Sequence, residues 1–423
     1  MKKLLLLLVI PFLSLGQEQW FQTFGGLGND RGNVVQQTND GGYIVVGSTS
    51  SFEAWSGDNQ DVYLIKTDEN GNELWSQTFG DSGTEIGYSV QQTNDGGYII
   101  TGSASGNILL LKTDENGNEL WSQTFGDGST NSGRCGQQTN DGGYIITGWY
   151  GPDVVLIKTN ENGNEQWSQT FSSGSNNSAN SVKQTIDGGY IIVGHTDDGP
   201  VISADIYMIK TDENGNEQWS RTFGGTNIDI GYSIQQTSDE GYIITGETNS
   251  FGNGSTGVYL IKTNENGEEE WSQTFGGESG YSVEQTNDGG YIITGRLSVE
   301  SEGEYGSLPC ILLIKTDENG SEQWSQNFVK IYTGKGYSVQ QTSDNGYIIT
   351  GERWSFLNEN IDVVLIKTNS EGNVKSTNII ETPTISKNLI TTIDILGRET
   401  ANNKGFQLHI YDDGSVEKKY LIK

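Results

Sequence analysis

Short runs of apolar residues recur along the whole chain, and turns rich in glycine, asparagine and aspartate separate them. Three markers return about every fifty residues: the segment WSQTFG or a close variant, a TNDGGY-type turn, and a Lys-Thr pair. The WSQTFG segments begin at Trp20, Trp75, Trp121, Trp167, Trp219, Trp271 and Trp324, and the turns end at Tyr43, Tyr98, Tyr144, Tyr190, Tyr242, Tyr291 and Tyr347. The lysines of the pairs are Lys66, Lys112, Lys158, Lys210, Lys262, Lys315 and Lys367. Seven copies of each marker indicate one structural unit repeated seven times.

Each unit predicts four short strands, which we label A to D in chain order. Strand A is GYSVQQT (residues 87–93 in the second unit), and an Asn-Asp-Gly-Gly turn leads to strand B, YIITG (residues 98–102). Strand C is VYLIKT (residues 62–67 in the first unit), and the turn DENGN leads to strand D, ELWSQTFG. Strand B is apolar at consecutive positions, so we expect both of its faces to be buried. The Gln-Gln pairs of strand A are expected to form hydrogen bonds within the blades or the channel.

The two ends of the repeat array complement each other. The repeat array begins with a D-type strand, residues 20–25, that no A, B or C strand precedes. The seventh unit has A, B and C strands but lacks a D strand, because Ser376 takes the tryptophan position. The N-terminal strand can therefore complete the last blade and remove the free sheet edges. This predicts an all-β fold, a seven-bladed β-propeller of four-stranded blades with a small C-terminal β tail; a capped β-solenoid is the alternative.

Two stretches of the repeat resemble known propeller families. LIKTDENGNELWSQTF resembles the repeat of pyrroloquinoline-quinone-type propellers, in which a C–D hairpin carries a glycine turn followed by a tryptophan. The TNDGGY turn is similar to the Asp-box of sialidase-like propellers and matches its Thr-x-Asp-x-Gly core. In both families these residues shape the blade and do not mark the chemistry. The resemblance covers residues 19–376 and implies architecture only.

Composition and charge narrow the range of partners. Hydrophobic residues make up 32% of the chain and glycines number 59, which favours short strands and tight turns over long helices. The formal net charge of -31 repels phosphate backbones, so no nucleic-acid partner is expected. The acidity keeps the protein soluble, and affinity for divalent cations is the alternative explanation. Cys135 and Cys310 occupy non-equivalent positions in repeats three and six, so no disulfide framework is expected.

The N-terminus has the features of a secretory signal peptide. Lys2 and Lys3 precede a short apolar run and small residues, and we expect cleavage after Gly16. No later segment is apolar enough for a transmembrane span, so the protein is expected to be secreted or to lie at the outer cell surface. The predicted domains are the signal peptide (residues 1–16), the propeller (residues 17–376) and a β tail (residues 377–423).

The tail resembles the C-terminal sorting domain of the type IX secretion pathway of Bacteroidota. The similarity is carried by Asp394, Leu396, Gly397 and Arg398, by Asp413 and Gly414, and by Lys418 and Lys419. The tail lacks the Pro-Asn-Pro opening of the commoner pattern. The resemblance implies that the type IX secretion machinery is a partner; a small β appendage without a targeting role is the alternative.

Candidate ligand-binding residues lie where the repeat varies. The A–B and C–D turns are nearly identical in all units, whereas the B–C and D–A loops, which share the opposite rim, differ in length and content. Binding residues usually lie on variable loops that a rigid scaffold holds. The candidates are Trp149, Tyr150, His195, Glu247, Arg296, Glu352, Arg353, Trp354 and, in place of the strand-A tyrosine of the third unit, Arg134. Aromatic faces beside charged groups suit a sugar or a peptide; drift in unconstrained loops is the alternative.

Signatures of catalysis are absent from the sequence. It contains no Gly-x-Ser-x-Gly elbow, no His-Glu-x-x-His and no phosphate-binding glycine loop, so no catalytic residue, metal ligand or cofactor is assigned. Asp68, Asn70 and Glu73 of a DENGN turn could offer oxygens to Ca²⁺, but a capped hairpin explains the same residues. We therefore expect a monomeric, non-enzymatic binding or adhesion propeller that recognises a glycan or a protein. The alternatives are a polysaccharide-active lyase or hydrolase, for instance with Glu247 and Glu352 as its carboxylates, and a structural surface component without a specific ligand.

Overall fold

The computed structural model describes most of the repeat array and part of the tail. The described ranges are residues 19–52, 59–174, 176–197, 203–252, 256–300, 307–328, 333–355 and 360–374, and in the tail 389–393, 405–411 and 416–421. The predicted signal peptide and the tail residues Asp394, Leu396, Gly397, Arg398, Asp413 and Gly414 lie outside them. The chain divides into two compact units, residues 1–375 and residues 376–423.

Seven four-stranded antiparallel sheets form the blades of a ring, which confirms the predicted all-β propeller. The A strands are Asp30–Gln37, Glu85–Gln92, Ser132–Gln138, Asn176–Gln184, Asp229–Gln236, Ser279–Gln285 and Thr333–Gln341. The B strands are Tyr43–Thr49, Tyr98–Ala104, Tyr144–Tyr150, Tyr190–Asp197, Tyr242–Thr248, Tyr291–Glu300 and Tyr347–Ser355. The C strands are Asp61–Thr67, Asn107–Thr113, Asp153–Thr159, Asp205–Thr211, Gly257–Thr263, Ser307–Thr316 and Asn360–Thr368. The D strands of blades 1 to 6 are Glu73–Phe79, Glu119–Phe125, Glu165–Phe171, Glu217–Phe223, Glu269–Phe275 and Glu322–Asn327.

The N-terminal strand closes the ring, as its offset in the sequence predicts. Trp20–Phe24 pairs antiparallel with strand C of blade 7, with Trp20 opposite Lys367 and Phe24 opposite Val363. It is therefore the D strand of the seventh blade. The first and last blades then share one apolar core, in which Trp20 and Leu365 of blade 7 meet Val45 of blade 1.

The apolar core lies between neighbouring blades. Ile44, Val45 and Val46 of the first B strand are each at most 1% exposed, so both faces of that strand are buried as predicted. The strand is buried on both sides because each blade is sandwiched between two others. Each of the seven blade-to-blade boundaries has its own cluster of buried residues from the two adjoining blades.

Two contacts repeat in every blade and explain the three sequence markers. The buried lysine that ends strand C forms an ion pair of 2.8–3.0 Å with the aspartate of the A–B turn; the pairs are Lys66–Asp40, Lys112–Asp95, Lys158–Asp141, Lys210–Asp187, Lys262–Asp239, Lys315–Asp288 and Lys367–Asp344. The tryptophan of each D strand packs on the tyrosine that opens strand B of the next blade. Their ring centroids lie 5.7–6.1 Å apart in Trp20–Tyr43, Trp75–Tyr98, Trp121–Tyr144, Trp167–Tyr190, Trp219–Tyr242, Trp271–Tyr291 and Trp324–Tyr347. The ion pair therefore joins strand C to the A–B turn within each blade, and the Trp–Tyr contact joins neighbouring blades.

The second unit contains a small sheet of its own. Its strands, Leu389–Ile393, Gly405–Tyr411 and Val416–Leu421, are antiparallel and neighbour one another in chain order. Lys418 and Lys419 lie in the last of these strands. The described part of the chain contains no helix long and apolar enough to cross a membrane.

Candidate functional site

Each A strand carries a β-bulge near the variable rim, and the bulged residue lines the central channel. In blade 3, Gly133 pairs with Gly148 and Cys135 with Thr147, which leaves Arg134 as the extra residue. A Cβ atom on Gly148 would lie 1.9 Å from the carbonyl oxygen of Ser132, so only glycine allows strands A and B to approach this closely. The bulged residues of blades 1 to 7 are Asn33, Tyr88, Arg134, Asn180, Tyr232, Tyr281 and Tyr337. Together they surround one end of a channel of about 750 Å³.

Arg134 lies against two aromatic rings. Its guanidinium carbon is 4.0 Å from the ring centroid of Tyr88 and 4.4 Å from that of Trp149. Burial lowers the pKa of Arg134, and the neighbouring Tyr88 and Tyr232 oppose that shift. The guanidinium remains charged at neutral pH, since arginine does not deprotonate in proteins.

A cleft of about 400 Å³ opens beside the channel mouth, on the variable rim between blades 3, 4 and 5. Its lining includes Arg134, Trp149, Asn176, Asn180, His195 and Tyr232. Arg134, Asn180 and Tyr232 also line the channel, so the cleft and the channel adjoin. Three of the candidate residues from the sequence, Arg134, Trp149 and His195, therefore meet at one concave surface.

His195 is the histidine of this cleft. It lies opposite Ser178 in the A–B strand pair of blade 4, and the Ser178 hydroxyl oxygen is 3.3 Å from its Nδ1. Burial lowers the pKa of His195 below its ordinary value of 6.5, and the charge of Asp197 opposes that shift. The imidazole is therefore neutral at pH 7, which makes Arg134 the cation of the cleft lining.

The charged candidates of blades 5 to 7 have protein partners of their own. Glu247 accepts a hydrogen bond of 2.6 Å from the Ser279 hydroxyl and shares another with Tyr232. Glu352 pairs with Arg31 at 2.9 Å and with Lys335 at 3.3 Å, which links blade 7 to blade 1.

Arg296 Nε lies 2.7 Å from the carboxylate of Glu278. Neither Arg296, Glu247 nor Glu352 is part of the cleft lining. Glu247 and Glu352 share none of these partners, so the described contacts do not bring them together as a carboxylate pair.

The remaining candidates lie at strand ends on the same rim but outside the cleft lining. Tyr150 ends strand B of blade 3 and is 39% exposed, and Trp354 of blade 7 is 41% exposed. Arg353 lies opposite Asp362 in strand C of its own blade, and its charge lowers the pKa of that carboxyl against the dominant effect of burial. The cleft lining therefore contains three of the nine candidates, and the other six lie outside it.

Sequence reasoning missed Tyr232 and Asn180. Tyr232 carries the consensus residue of the repeat, and the Asn180 side chain donates a hydrogen bond of 2.8 Å to the Gly231 carbonyl of the next blade. Both reach the cleft because the bulge turns them toward the channel. The paired glycines of strands A and B, such as Gly133 and Gly148, are the sequence signal of that bulge.

The glutamines of strand A form rings of hydrogen bonds between blades, as the sequence analysis expects. Gln92 Oε1, for example, accepts a hydrogen bond of 2.9 Å from the Asn39 backbone of the preceding blade. The ring is complete across the closure, where Gln37 of blade 1 accepts from Ser343 of blade 7 at 2.9 Å. These residues are part of the scaffold.

The DENGN turn has the geometry of a capped hairpin. Asp68 Oδ1 accepts hydrogen bonds from the backbone N–H groups of Asn70 and Asn72, at 2.9 and 2.8 Å. Its other oxygen accepts from the Asn72 amide at 2.8 Å. Among the residues that the structure describes, no three acidic, histidine or cysteine side chains are grouped so that they could hold a metal ion.

These features define a seven-bladed β-propeller with pyrroloquinoline-quinone-type repeats and a cleft on its variable rim. The family model of such repeats that is described as outer membrane protein assembly factor BamB matches residues 58–326. The chain belongs to this family, as the repeat resemblance predicts.

Several solved structures are similar to this chain at low sequence identity. The Pan2 WD40 domain of Neurospora crassa is 10% identical, with 82% of this chain and 92% of that chain covered and a TM-score of 0.50. A protein of unknown function from Bacteroides caccae is 15% identical, with 68% and 93% covered and a TM-score of 0.44. Sqt1 from Chaetomium thermophilum is 10% identical, with 94% and 97% covered and a TM-score of 0.48. No curated protein matches the chain. The comparisons therefore identify the repeat family and its fold, and no individual relative.

Proposed function

We propose that this protein is a non-enzymatic binding propeller and that its ligand occupies the cleft between blades 3 and 5. The observation that carries the proposal is the convergence of Arg134, Trp149 and His195, from two blades, on one concave surface. Arg134 replaces the tyrosine that four other blades share, and Trp149 and His195 stand at a position that varies between blades. Ligand sites are commonly concave, with an aromatic lining and a few polar groups that fix orientation.

A segment of a glycan suits this cleft better than a protein surface does. Its volume of about 400 Å³ falls within the range of about 300–1,000 Å³ that is common for small-ligand pockets. Stable protein–protein interfaces instead bury about 1,200–2,000 Å² over a broad surface. The Trp149 indole offers an apolar face to a sugar ring, and the side-chain amide of Asn176 belongs to a type that hydrogen-bonds hydroxyl groups.

Two variants of the cleft test the proposal against a control elsewhere on the same rim. We expect Trp149→Ala and His195→Ala to weaken glycan binding by about ten-fold or more, since each removes a side chain that lines the cleft. Phe52→Ala removes a rim aromatic of blade 1 that is 52% exposed, and it should bind as the wild type does. The mature chain is screened on a glycan array, with calcium and with a chelator, and hits are quantified by titration calorimetry.

The outcome locates the site. Loss in the two cleft variants with retention in Phe52→Ala supports the proposal. Equal binding by all four proteins would place the ligand outside the cleft, and capture of a protein without any glycan binding would contradict the glycan assignment.

We further propose that the chain is exported to the outer cell surface or released from it, in a bacterium of the Bacteroidota. The support is the signal-peptide character of residues 1–16 and the resemblance of residues 377–423 to a type IX sorting domain. A fluorescent reporter that carries both segments should leave the cell in a host with the type IX pathway and stay in the periplasm of a mutant without it. Equal export by the two strains would contradict the sorting role.

A further inference from the structure

Arg134 differs from two other rim arginines, Arg31 and Arg296, each of which has a carboxylate partner. Arg31 lies 2.9 Å from Glu352, and Arg296 lies 2.7 Å from Glu278. Within the described part of the chain, no carboxylate forms an ion pair with Arg134, and its neighbours are Tyr88, Trp149 and Tyr232. This is unexpected in a chain with 55 acidic and 24 basic side chains. A partly buried cation without a carboxylate is costly in the free protein, so an anion from outside would be favoured there.

Part of the hydrogen-bonding capacity of Arg134 is unused within the described part of the chain. The Tyr88 and Trp149 rings contact the guanidinium, and Tyr88 also shares a hydrogen bond with it. Its buried Nε has no hydrogen-bond partner among the described residues. A guanidinium with unused N–H donors can donate charge-assisted hydrogen bonds to a carboxylate or sulfate.

The repeat itself shows that this arginine is not needed for the fold. Four other blades carry tyrosine at the same bulge, namely Tyr88, Tyr232, Tyr281 and Tyr337. Tyr232 and Tyr281 pack with their ring centroids 5.1 Å apart, and Tyr281 and Tyr337 with theirs 5.4 Å apart. A tyrosine at position 134 would therefore meet the packing requirement of the channel mouth.

We propose that the cleft recognises an acidic sugar, whose carboxylate or sulfate group binds to Arg134 while its ring lies in the cleft beside Trp149. This inference rests on the proposed glycan-binding function and names the ligand class of that site. The overall charge of -31 opposes approach of an anion at long range. Salt screens that repulsion beyond about 10 Å at 0.1 M ionic strength, whereas the partly buried contact with Arg134 is screened much less.

Matched pairs of acidic and neutral sugars test the inference. The mature chain is titrated with oligogalacturonate and its methyl ester, and with a sulfated galactan oligosaccharide and its unsulfated form. We expect at least one acidic member to bind about ten-fold or more tightly than its neutral counterpart, since hydrogen bonds to charged groups contribute about 1.5–3 kcal/mol. The pair that shows the difference tells whether the group is a carboxylate or a sulfate.

Substitution of Arg134 links the preference to this residue. Arg134→Tyr, with Arg134→Gln as a second variant, should weaken binding of the acidic sugar about ten-fold more than binding of the neutral sugar, and so remove the preference. Arg221→Gln is the control, because Arg221 also lies over a tryptophan, Trp219 at 5.2 Å, but on an outer D strand. Unchanged melting temperatures show that the variants are folded.

The outcomes separate this inference from the function on which it rests. If acidic and neutral sugars bind alike and Arg134→Tyr changes nothing, while Trp149→Ala still weakens binding, the acidic-ligand inference is wrong and the glycan-binding cleft stands. If no sugar of either charge binds, the proposed function fails, and this inference fails with it.

Discussion

Glu284 is a titratable group in a ring of the channel that is otherwise made largely of glutamine. The equivalent residues of the other blades are Gln36, Gln91, Gln137, Lys183, Gln235 and Gln340. Gln36, for example, accepts a hydrogen bond of 2.6 Å from the Gln92 backbone of the next blade, and Glu284 accepts one of the same length from Gln341. Burial raises the pKa of Glu284 to about 7, although the N–H of Gln341 and the charge of Lys183 act in the opposite direction. The folded protein thus retains a proton that the unfolded chain releases at lower pH.

This difference predicts a pH-dependent stability. Because the pKa of Glu284 is higher in the folded state than its ordinary value of 4.5, its contribution is fully favourable below pH 4.5 and is lost as the pH rises toward 7. Glu284→Gln keeps the acceptor for Gln341 without the charge. We expect this variant to be more stable than the wild type at pH 8 by about 1–3 kcal/mol, with the advantage disappearing near pH 4.5.

Urea unfolding at pH 5 and pH 8 measures the effect. The reverse variant, Gln340→Glu, places a carboxylate on the same ring and should be destabilised at pH 8 more than at pH 5. An advantage of Glu284→Gln that is the same at both pH values would show that the titration of Glu284 is not its cause.

Departures from the repeat identified only part of the candidate site. Arg134 stood out because it replaces a tyrosine that four other blades share, and Trp149 and His195 because their position varies between blades; the cleft contains all three. Glu247 and Glu352 stood out for the same reason but bind to Ser279 and Arg31 of neighbouring blades. Residue type alone does not distinguish a side chain that links blades from one that faces a ligand. The role of the side chain depends on where the next blade lies.

At the level of elements, the N-terminal strand completes the fold from the far end of the chain. Trp20 is 4% exposed, packs on Tyr43 of blade 1 and lies against the turn glycine Gly71. The equivalent Trp75 makes the same two contacts, with Tyr98 and Gly117. Its D strand, however, comes directly after strands A to C of the same blade in the sequence. The two tryptophans differ in that Trp20 also holds the ring closed.

Removal of the Trp20 side chain should therefore destabilise the whole ring. Truncation of a large buried aromatic side chain lowers the free energy of unfolding by about 3–5 kcal/mol. We expect Trp20→Ala to lower it by at least this amount. Trp75→Ala is the matched control and should lose a similar amount without opening the ring. Urea unfolding gives the stabilities, and limited proteolysis near residue 19 reports release of the strand. A nearly neutral Trp20→Ala beside a destabilised Trp75→Ala would contradict closure by this strand.

Strand order and ring closure were predictable because the repeat is regular. The offset between seven D-type segments and seven A–B–C sets is visible in the sequence, and antiparallel pairing of the two ends follows from it. The bulge of each A strand was not predicted, since one extra residue leaves the apolar pattern almost unchanged. That bulge turns Arg134 and Tyr232 toward the cleft, so the site depends on a local irregularity that the repeat hides.

At the scale of the whole molecule, the propeller separates its structural and variable parts. The ion pairs of the A–B turns, such as Lys66–Asp40, repeat on one rim, and the described candidate residues that differ between blades lie at the other. Family membership and solved structures describe the part that repeats. They do not identify the ligand, because the same fold hosts many functions and these functions depend on the individual site.

A crystal structure of the mature protein with an acidic oligosaccharide bound tests the proposed binding site most directly. We predict that the sugar occupies the cleft between blades 3 and 5, with its ring beside Trp149 and its acidic group within hydrogen-bonding distance of the Arg134 guanidinium. A sugar bound at another part of the rim or inside the channel, with the cleft empty, would contradict the central claim.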